Sequence, residues 1–367
     1  MMRNILTRSA RCCVSVAVPI VLQALTGLIV GFLVVTPVGL TAASDSKAHD
    51  QYLHAAKLFE QDKYDGAIAA LKSALQLYPK FPEAYRLLGK VYFEGLRRPS
   101  DAVTAFRKAI ELKPEYAEAY YDLGIVYQAQ GKFADAEQVL RRAIQIHPQY
   151  EQAHWILARQ FQRNRRNDKA IQVYEDLLGI NPNHTGALYS LGVIYDGQAD
   201  AGKAREVLEK LTRVDPSHPD AWYLLGHIEE KENNLPKAIE AYRMAVAAKP
   251  DLVDAHFNLA FLYRSEGNVP EAVKRFEEVI RLRPEYAEAH LNLGGLYTSM
   301  NRLNDAEEEY ETAASLKPNM AEAHYSLGLF YELHRKDLAR ALAQYRKYLE
   351  LGGKDERVVR IIQQAGR

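Results

Sequence analysis

A chain of 367 residues that is 48% hydrophobic and 26% charged has the composition of a folded soluble protein, which excludes a disordered chain. Lys plus Arg and Asp plus Glu balance at 47 each, so the overall positive field needed to coat nucleic acid is missing and no nucleic acid is expected as a partner. Cysteine occurs only at Cys12 and Cys13, which excludes a disulfide framework and any Cys-ligated metal site in the rest of the chain.

The first 43 residues read as an export segment. Arg3, Arg8 and Arg11 precede a run without charge over residues 12–44, and the first acid is Asp45. Such a basic start stays cytoplasmic, so the remainder is expected on the extracytoplasmic, periplasmic side. Two fates stay open. Residues 14–36 are long enough to cross a hydrocarbon core of ~30 Å at 1.5 Å per residue, which gives an uncleaved anchor in the inner membrane. Pro37 and Gly39, followed by the small residues Thr41, Ala42 and Ala43, offer instead a cleavage site and a soluble product. Residues 44–50 are expected to be a short linker in either case.

From residue 51 the chain repeats. Prolines at 79, 114, 148, 182, 216, 250, 284 and 318 recur every 34 residues after a first interval of 35. Between Ala117 and Pro148, Tyr120, Leu123, Gly124 and Tyr127 follow the i, i+3, i+4, i+7 spacing of one helix face. Gly131 then interrupts, and Ala136, Leu140, Ala143 and Ile144 mark a second helix that the proline stops. Each unit is a helical hairpin.

Trp222-x-x-Leu225-Gly226, followed by Ala238, Tyr242, Ala245 and Pro250, resembles the tetratricopeptide repeat. The resemblance implies an all-α, right-handed superhelical solenoid of about nine hairpins over residues 51–353. Residues 354–367 are expected to form a C-terminal capping helix with Val358, Ile361 and Ile362 on one face. A small residue fills the glycine slot of every copy, as at Ala55, Gly124, Ala158 and Gly226, which implies close approach of the two helices. Two repeats carry one extra residue, at 95–100 and 333–339, which the loop is expected to absorb. Glu229 stands where seven of the other copies carry an aromatic, and an uncompensated buried carboxylate is costly, so it is expected to turn outward and leave a loose junction.

The repeats leave no room for a catalytic domain, and no nucleotide, hydrolase or zinc-protease motif occurs, so neither enzyme activity nor a cofactor is expected. His256, His290 and His324 share the Trp222 slot at intervals of 34 residues. Stacked helices lie ~8–10 Å apart, too far for those rings to meet at one metal, so packing is the expected role. The resemblance further implies that the first helices line a concave surface, with the residue after the Trp222 slot facing it. Those residues are Tyr52, Arg86, Tyr121, Trp155, Tyr189, Tyr223, Phe257, Leu291 and Tyr325. With Lys90, Arg159 and Arg163 nearby, this makes an aromatic and cationic groove, the composition of binding hot spots. Tyr121, Trp155, Arg159, Tyr189, Tyr223 and Phe257 are the candidate site, and a peptide or helix of another protein is the expected occupant. The alternative is an accessory subunit of an envelope glycan-assembly system whose groove contacts carbohydrate.

Overall fold

Each repeat reverses direction at one left-handed residue, and these residues count the repeats. The computed structural model describes the backbone of residues 38–365 and the side chains of residues 45–365. Between paired helices φ is positive at Asp62, Arg97, Gly131, Arg165, Ala199, Asn233, Gly267, Asn301 and Lys336. The turn satisfies the carbonyls that a helix end leaves open: at Ala199, for example, the N–H donates to Asp196 (3.0 Å) while that of Asp200 donates to Tyr195 (2.9 Å). Most of these positions are not glycine, so the hairpin imposes a conformation that their own preference opposes.

The hairpins follow in series. They are α1 (Val38–Glu60) with α2 (Tyr64–Leu77), α3 (Pro82–Lys90) with α4 (Pro99–Leu112), and α5 (Ala117–Ala129) with α6 (Phe133–Ile146). Next come α7 (Glu151–Arg163) with α8 (Asn167–Ile180), α9 (Thr185–Gly197) with α10 (Ala201–Val214), and α11 (Pro219–Lys231) with α12 (Leu235–Ala248). The last three are α13 (Val253–Ser265) with α14 (Val269–Leu282), α15 (Ala287–Ser299) with α16 (Leu303–Leu316), and α17 (Ala321–Phe330) with α18 (Leu338–Glu350). Each helix packs on its hairpin partner, and the second helix of each repeat packs on the helix that follows it, which makes an all-α solenoid. The closing helix α19 (Glu356–Ala365) buries Val358 and rests Ile361 and Ile362 on the last apolar cluster, while Arg357 donates to Glu332 (2.9 Å) and to the Tyr345 hydroxyl (3.0 Å).

Two expectations about the chain's course are corrected. Residues 44–50 are not a linker but part of α1, with Ala48 fully buried. The extra residues at 95–100 and 333–339 are not simply looped out. They are taken up as π-helical turns, Val91–Gly95 and Tyr331–Arg335, that extend the first helices of their repeats. One wider turn adds a residue without moving the buried positions on either side. The export segment expected over 1–43, with its span at 14–36, falls outside the described residues except for the start of α1. Among the described residues no helix is long and apolar enough to cross a membrane.

The glycine slot is a site of close approach, as its composition implies. A Cβ on Gly226 would come within 2.8 Å of the Tyr242 ring, and one on Gly124 within 2.7 Å of Leu140. The core is a string of clusters, of which the two largest meet around α11 and α12. Glu229 lies at that joint, and the expectation that it turns outward is wrong. It is 2% exposed, accepts from Arg205 Nε at 2.5 Å and from Asn234 Nδ2 at 2.8 Å, and is thereby compensated. Elsewhere the slot tyrosines Tyr195, Tyr297 and Tyr331 donate to the carboxylates Glu175, Glu277 and Glu311, each 20 residues earlier. This junction substitutes one polar tie for another.

Candidate binding wall of the first helices

The residues that follow the Trp222 slot form a row along the first helices, and each of the candidates is half-buried. The cause is the residue 29 positions on, which enters the next repeat and lies under the ring. Tyr121 packs on Tyr150 (ring centroids 5.1 Å apart), Trp155 on His184 (5.0 Å), Tyr189 on His218 (5.3 Å) and Phe257 on Tyr286 (4.9 Å). Tyr223, whose counterpart is Leu252, leans on Tyr242 at 5.6 Å. The rings are therefore part wall and part mortar between repeats. His184 and His218 serve both ends of this contact, because Nδ1 of each accepts from the N–H of Ala187 or Ala221 (3.1 Å) and so caps the following helix.

Trp155 packs on two rings, Tyr174 at 5.7 Å and His184 at 5.0 Å. A Cβ on Gly186 would lie 2.7 Å from its indole, so the glycine is what lets the ring approach α9 this closely. Arg159, one turn on, places its guanidinium 5.4 Å from the indole centroid. Tyr121, Trp155 and Tyr189 are not in direct ring contact among the described residues, since Tyr150 and His184 come between them. The row is thus a ladder of separate steps.

The cationic part of the groove is also narrower than the sequence suggests. Arg86 is paired with Asp122 at 2.6 Å and Lys90 lies 3.7 Å from Glu94, so neither is free. Arg159 and Arg163 have no acidic partner among the described residues. Both line a recess of about 340 Å³ between α5 and α7, together with Ile125, Ile156 and Phe133. Its floor is a bonded amide pair: Gln128 Nε2 donates to Gln160 Oε1 at 2.7 Å, and Gln160, 3% exposed, donates to the Phe133 carbonyl at 2.7 Å. Sequence reasoning passed over Gln128 and Gln160, although Gln128 stands seven residues after Tyr121 on the same helix face. Two unpaired guanidiniums beside apolar side chains suit a carboxylate next to an aliphatic or aromatic anchor.

The slot histidines behave as packing residues. Trp222 Nε1 donates to the Pro216 carbonyl (2.9 Å), and Nε2 of His256, His290 and His324 does the same to Pro250 (2.9 Å), Pro284 (2.8 Å) and Pro318 (3.0 Å). Each ring ties the start of a repeat to the proline that ends the previous one. No group of three metal-ligating side chains occurs among the described residues. Asn258 is likewise committed, donating to the Tyr242 hydroxyl at 3.0 Å.

Family models of the tetratricopeptide repeat match residues 56–94, 93–151 with 189–253, and 263–329. Among solved structures, the C-terminal part of a TPR repeat-containing protein from Cytophaga hutchinsonii is similar over 65% of this chain and 97% of its own, at 17% identity and a TM-score of 0.57. A MamA protein is similar over 46% of this chain and 91% of its own, at 26% identity and a TM-score of 0.43. YrrB, described as a TPR protein with an unusual peptide-binding site, is similar over 51% of this chain and 95% of its own, at 22% identity and a TM-score of 0.45. No curated protein matches the chain.

Proposed function

We propose, from the premise that this chain is a tetratricopeptide-repeat protein and hence has a protein-interaction fold, that it holds an extended or helical segment of a partner protein along its first helices. It acts as a scaffold, without catalysing a reaction. The segment is anchored at the recess between α5 and α7, where an acidic side chain of the partner meets Arg159 and Arg163 while an apolar side chain covers Ile125, Ile156 and the indole of Trp155. The observation that carries this reading is the pair of guanidiniums left without acids on a wall whose neighbouring cations, Arg86 and Lys90, are already paired. A charge-assisted hydrogen bond in such a place adds both affinity and register. Tyr121, Tyr189, Tyr223 and Phe257 extend the wall on either side. We further propose, from the charge pattern of residues 1–43, that this takes place on the periplasmic side of the membrane.

Replacing Ile125 with a photo-reactive phenylalanine derivative and irradiating cells captures whatever lies in the recess. The expected adduct is a protein segment with Asp or Glu beside a large apolar residue, and a carbohydrate adduct or none rejects the reading. With the captured segment as ligand, Arg159→Ala is expected to weaken binding by about thirtyfold, the ~2 kcal/mol of a hot spot, with the thermal midpoint unchanged. Trp155→Ala is a poorer test, since the indole also packs on His184 and Gly186 and its loss lowers stability as well.

A further inference from the structure

Of three consecutive repeats, two solve one problem in different ways and one leaves it open. In His256, His290 and His324 the bond from Nε2 to a proline carbonyl fixes a proton on Nε2 and turns Nδ1 toward the second helix of the same repeat. At His290, Nδ1 meets Glu309 Oε2 at 2.5 Å, and at His324 it meets the Gln344 amide at 2.7 Å. Arg275 holds the position relative to His256 that Glu309 holds relative to His290, and a guanidinium accepts nothing. His256 is 4% exposed, and its Nδ1 has no partner among the described residues; neither has the buried Nε of Arg275.

Both side chains line a recess of about 390 Å³ between α12 and α14, and Arg243 and Lys274 stand at its mouth. The charge there is inverted relative to the flanking junctions. Where this one has Arg243, Lys274 and Arg275, the next repeat has Glu277, Glu308 and Glu309, and the preceding one has Glu209, Glu240 and Ala241. The acids within reach are engaged: Glu278 with Arg281 at 2.5 Å, and Glu271 with the terminal nitrogen of Arg275 at 3.8 Å.

We propose that this recess is a carboxylate-binding site, in which the ligand accepts from Arg275 Nε and from a protonated His256 Nδ1, and so supplies His256 with the carboxylate that Glu309 supplies to His290 one repeat further on. Arginine suits a planar carboxylate, and the half-buried setting strengthens each bond. Arg243 and Lys274 draw the anion in. The recess is lined mainly by the second helices α12 and α14, with His256 contributed by the first helix α13, and shares no lining residue with the wall candidates, so it is separate from the partner-binding reading. Burial, the Arg275 charge and the Arg281 charge hold His256 below its ordinary value against the Pro250 carbonyl and Glu278, which act the other way. An arriving carboxylate reverses that balance, so binding takes up a proton and strengthens as pH falls.

The test is an imidazole NMR titration of the intact chain with three probes: succinate, the capped tripeptide acetyl-Gly-Asp-Gly-amide, and inorganic phosphate. Saturable movement of the His256 signals with succinate or the tripeptide is expected at concentrations up to about 10 mM. The affinity is expected to rise severalfold, up to about tenfold for one coupled proton, between about pH 7.5 and 6.5. Tighter binding of succinate assigns a free carboxylate, and equal or tighter binding of the tripeptide assigns an acidic side chain. Arg275→Glu should rebuild the His290 arrangement internally, raising the titration of His256 and abolishing the response, and Arg275→Gln should abolish it without that rise. No saturable movement, an undiminished response in both variants, or tighter binding of phosphate than of either carboxylate would overturn the proposal.

Discussion

One histidine slot, repeated at intervals of 34 residues, titrates in opposite directions according to a single neighbour. For His290, burial alone would lower the value, but Glu309 and the Pro284 carbonyl outweigh it and the value is raised. For His256, burial dominates, Arg275 adds to it, and the value is lowered. The sign of the stability effect follows from which state binds more protons. The His290 contribution is fully present below the unfolded value of about 6.5 and is lost as pH rises through the raised folded value. The His256 contribution is present above about 6.5 and is lost as pH falls toward and through the lowered folded value. Acidification should therefore tighten the α15 repeat and loosen the α13 repeat. Hydrogen exchange at about pH 7.5 and pH 5.5 checks this, and parallel changes in the two repeats would contradict it.

At the scale of the element, the joint at α11 shows how a helix pair tolerates a carboxylate in an apolar seat. Glu229 is held by Arg205 on α10 and by Asn234 just beyond the hairpin turn, so the joint is tied and not frayed. Arg205→Ala strips the main partner from a buried charge and is expected to cost about 3 kcal/mol, the low end for such a change because Arg205 keeps a quarter of its surface in water. Glu229→Tyr should cost less, since Glu209 already stands 20 residues earlier, where Glu175 accepts from Tyr195. Denaturant midpoints of the two variants decide between them, and a larger loss for Glu229→Tyr would mean that the ion pair is dispensable.

For the whole molecule, stability in a solenoid is approximately a sum of repeat and nearest-neighbour terms. Deleting residues 115–148 removes one unit and brings Tyr150 to the place of Tyr116, which now lies under Arg86, with ring and guanidinium 5.6 Å apart. The shortened protein should stay helical and unfold cooperatively. Ile156 would then stand where Asp122 pairs with Arg86, so that ion pair is lost, and the midpoint should fall modestly. Circular dichroism across a thermal ramp measures both, and an unfolded product would show that the array is not modular.

The nine hairpins of the described residues, their register and their close-packed glycine slots were legible in the sequence, because a 34-residue period, a 3.6-residue face and a stopping proline are all local properties. So was the packing role of His290 and His324, since the slot they share is defined by the repeat. What tertiary structure decided was which side chains meet across helices. Arg86 could be placed in the row from spacing, but its pairing with Asp122, 36 residues on, appears only when α5 comes to face it, and Glu229 looked uncompensated until Arg205 arrived from α10. The row of rings could be placed on the first helices from spacing alone, yet spacing does not tell that Tyr150 and His184 lie beneath Tyr121 and Trp155 and divide the row into steps. The linker expected at 44–50 failed for the same reason: helix α1 continues through it because Ala48 finds a buried seat, and such burial is a property of the fold, not of the segment. Periodicity determines which face of each helix turns inward. Which charges remain unpaired on the other faces is settled only when neighbouring repeats are brought into contact.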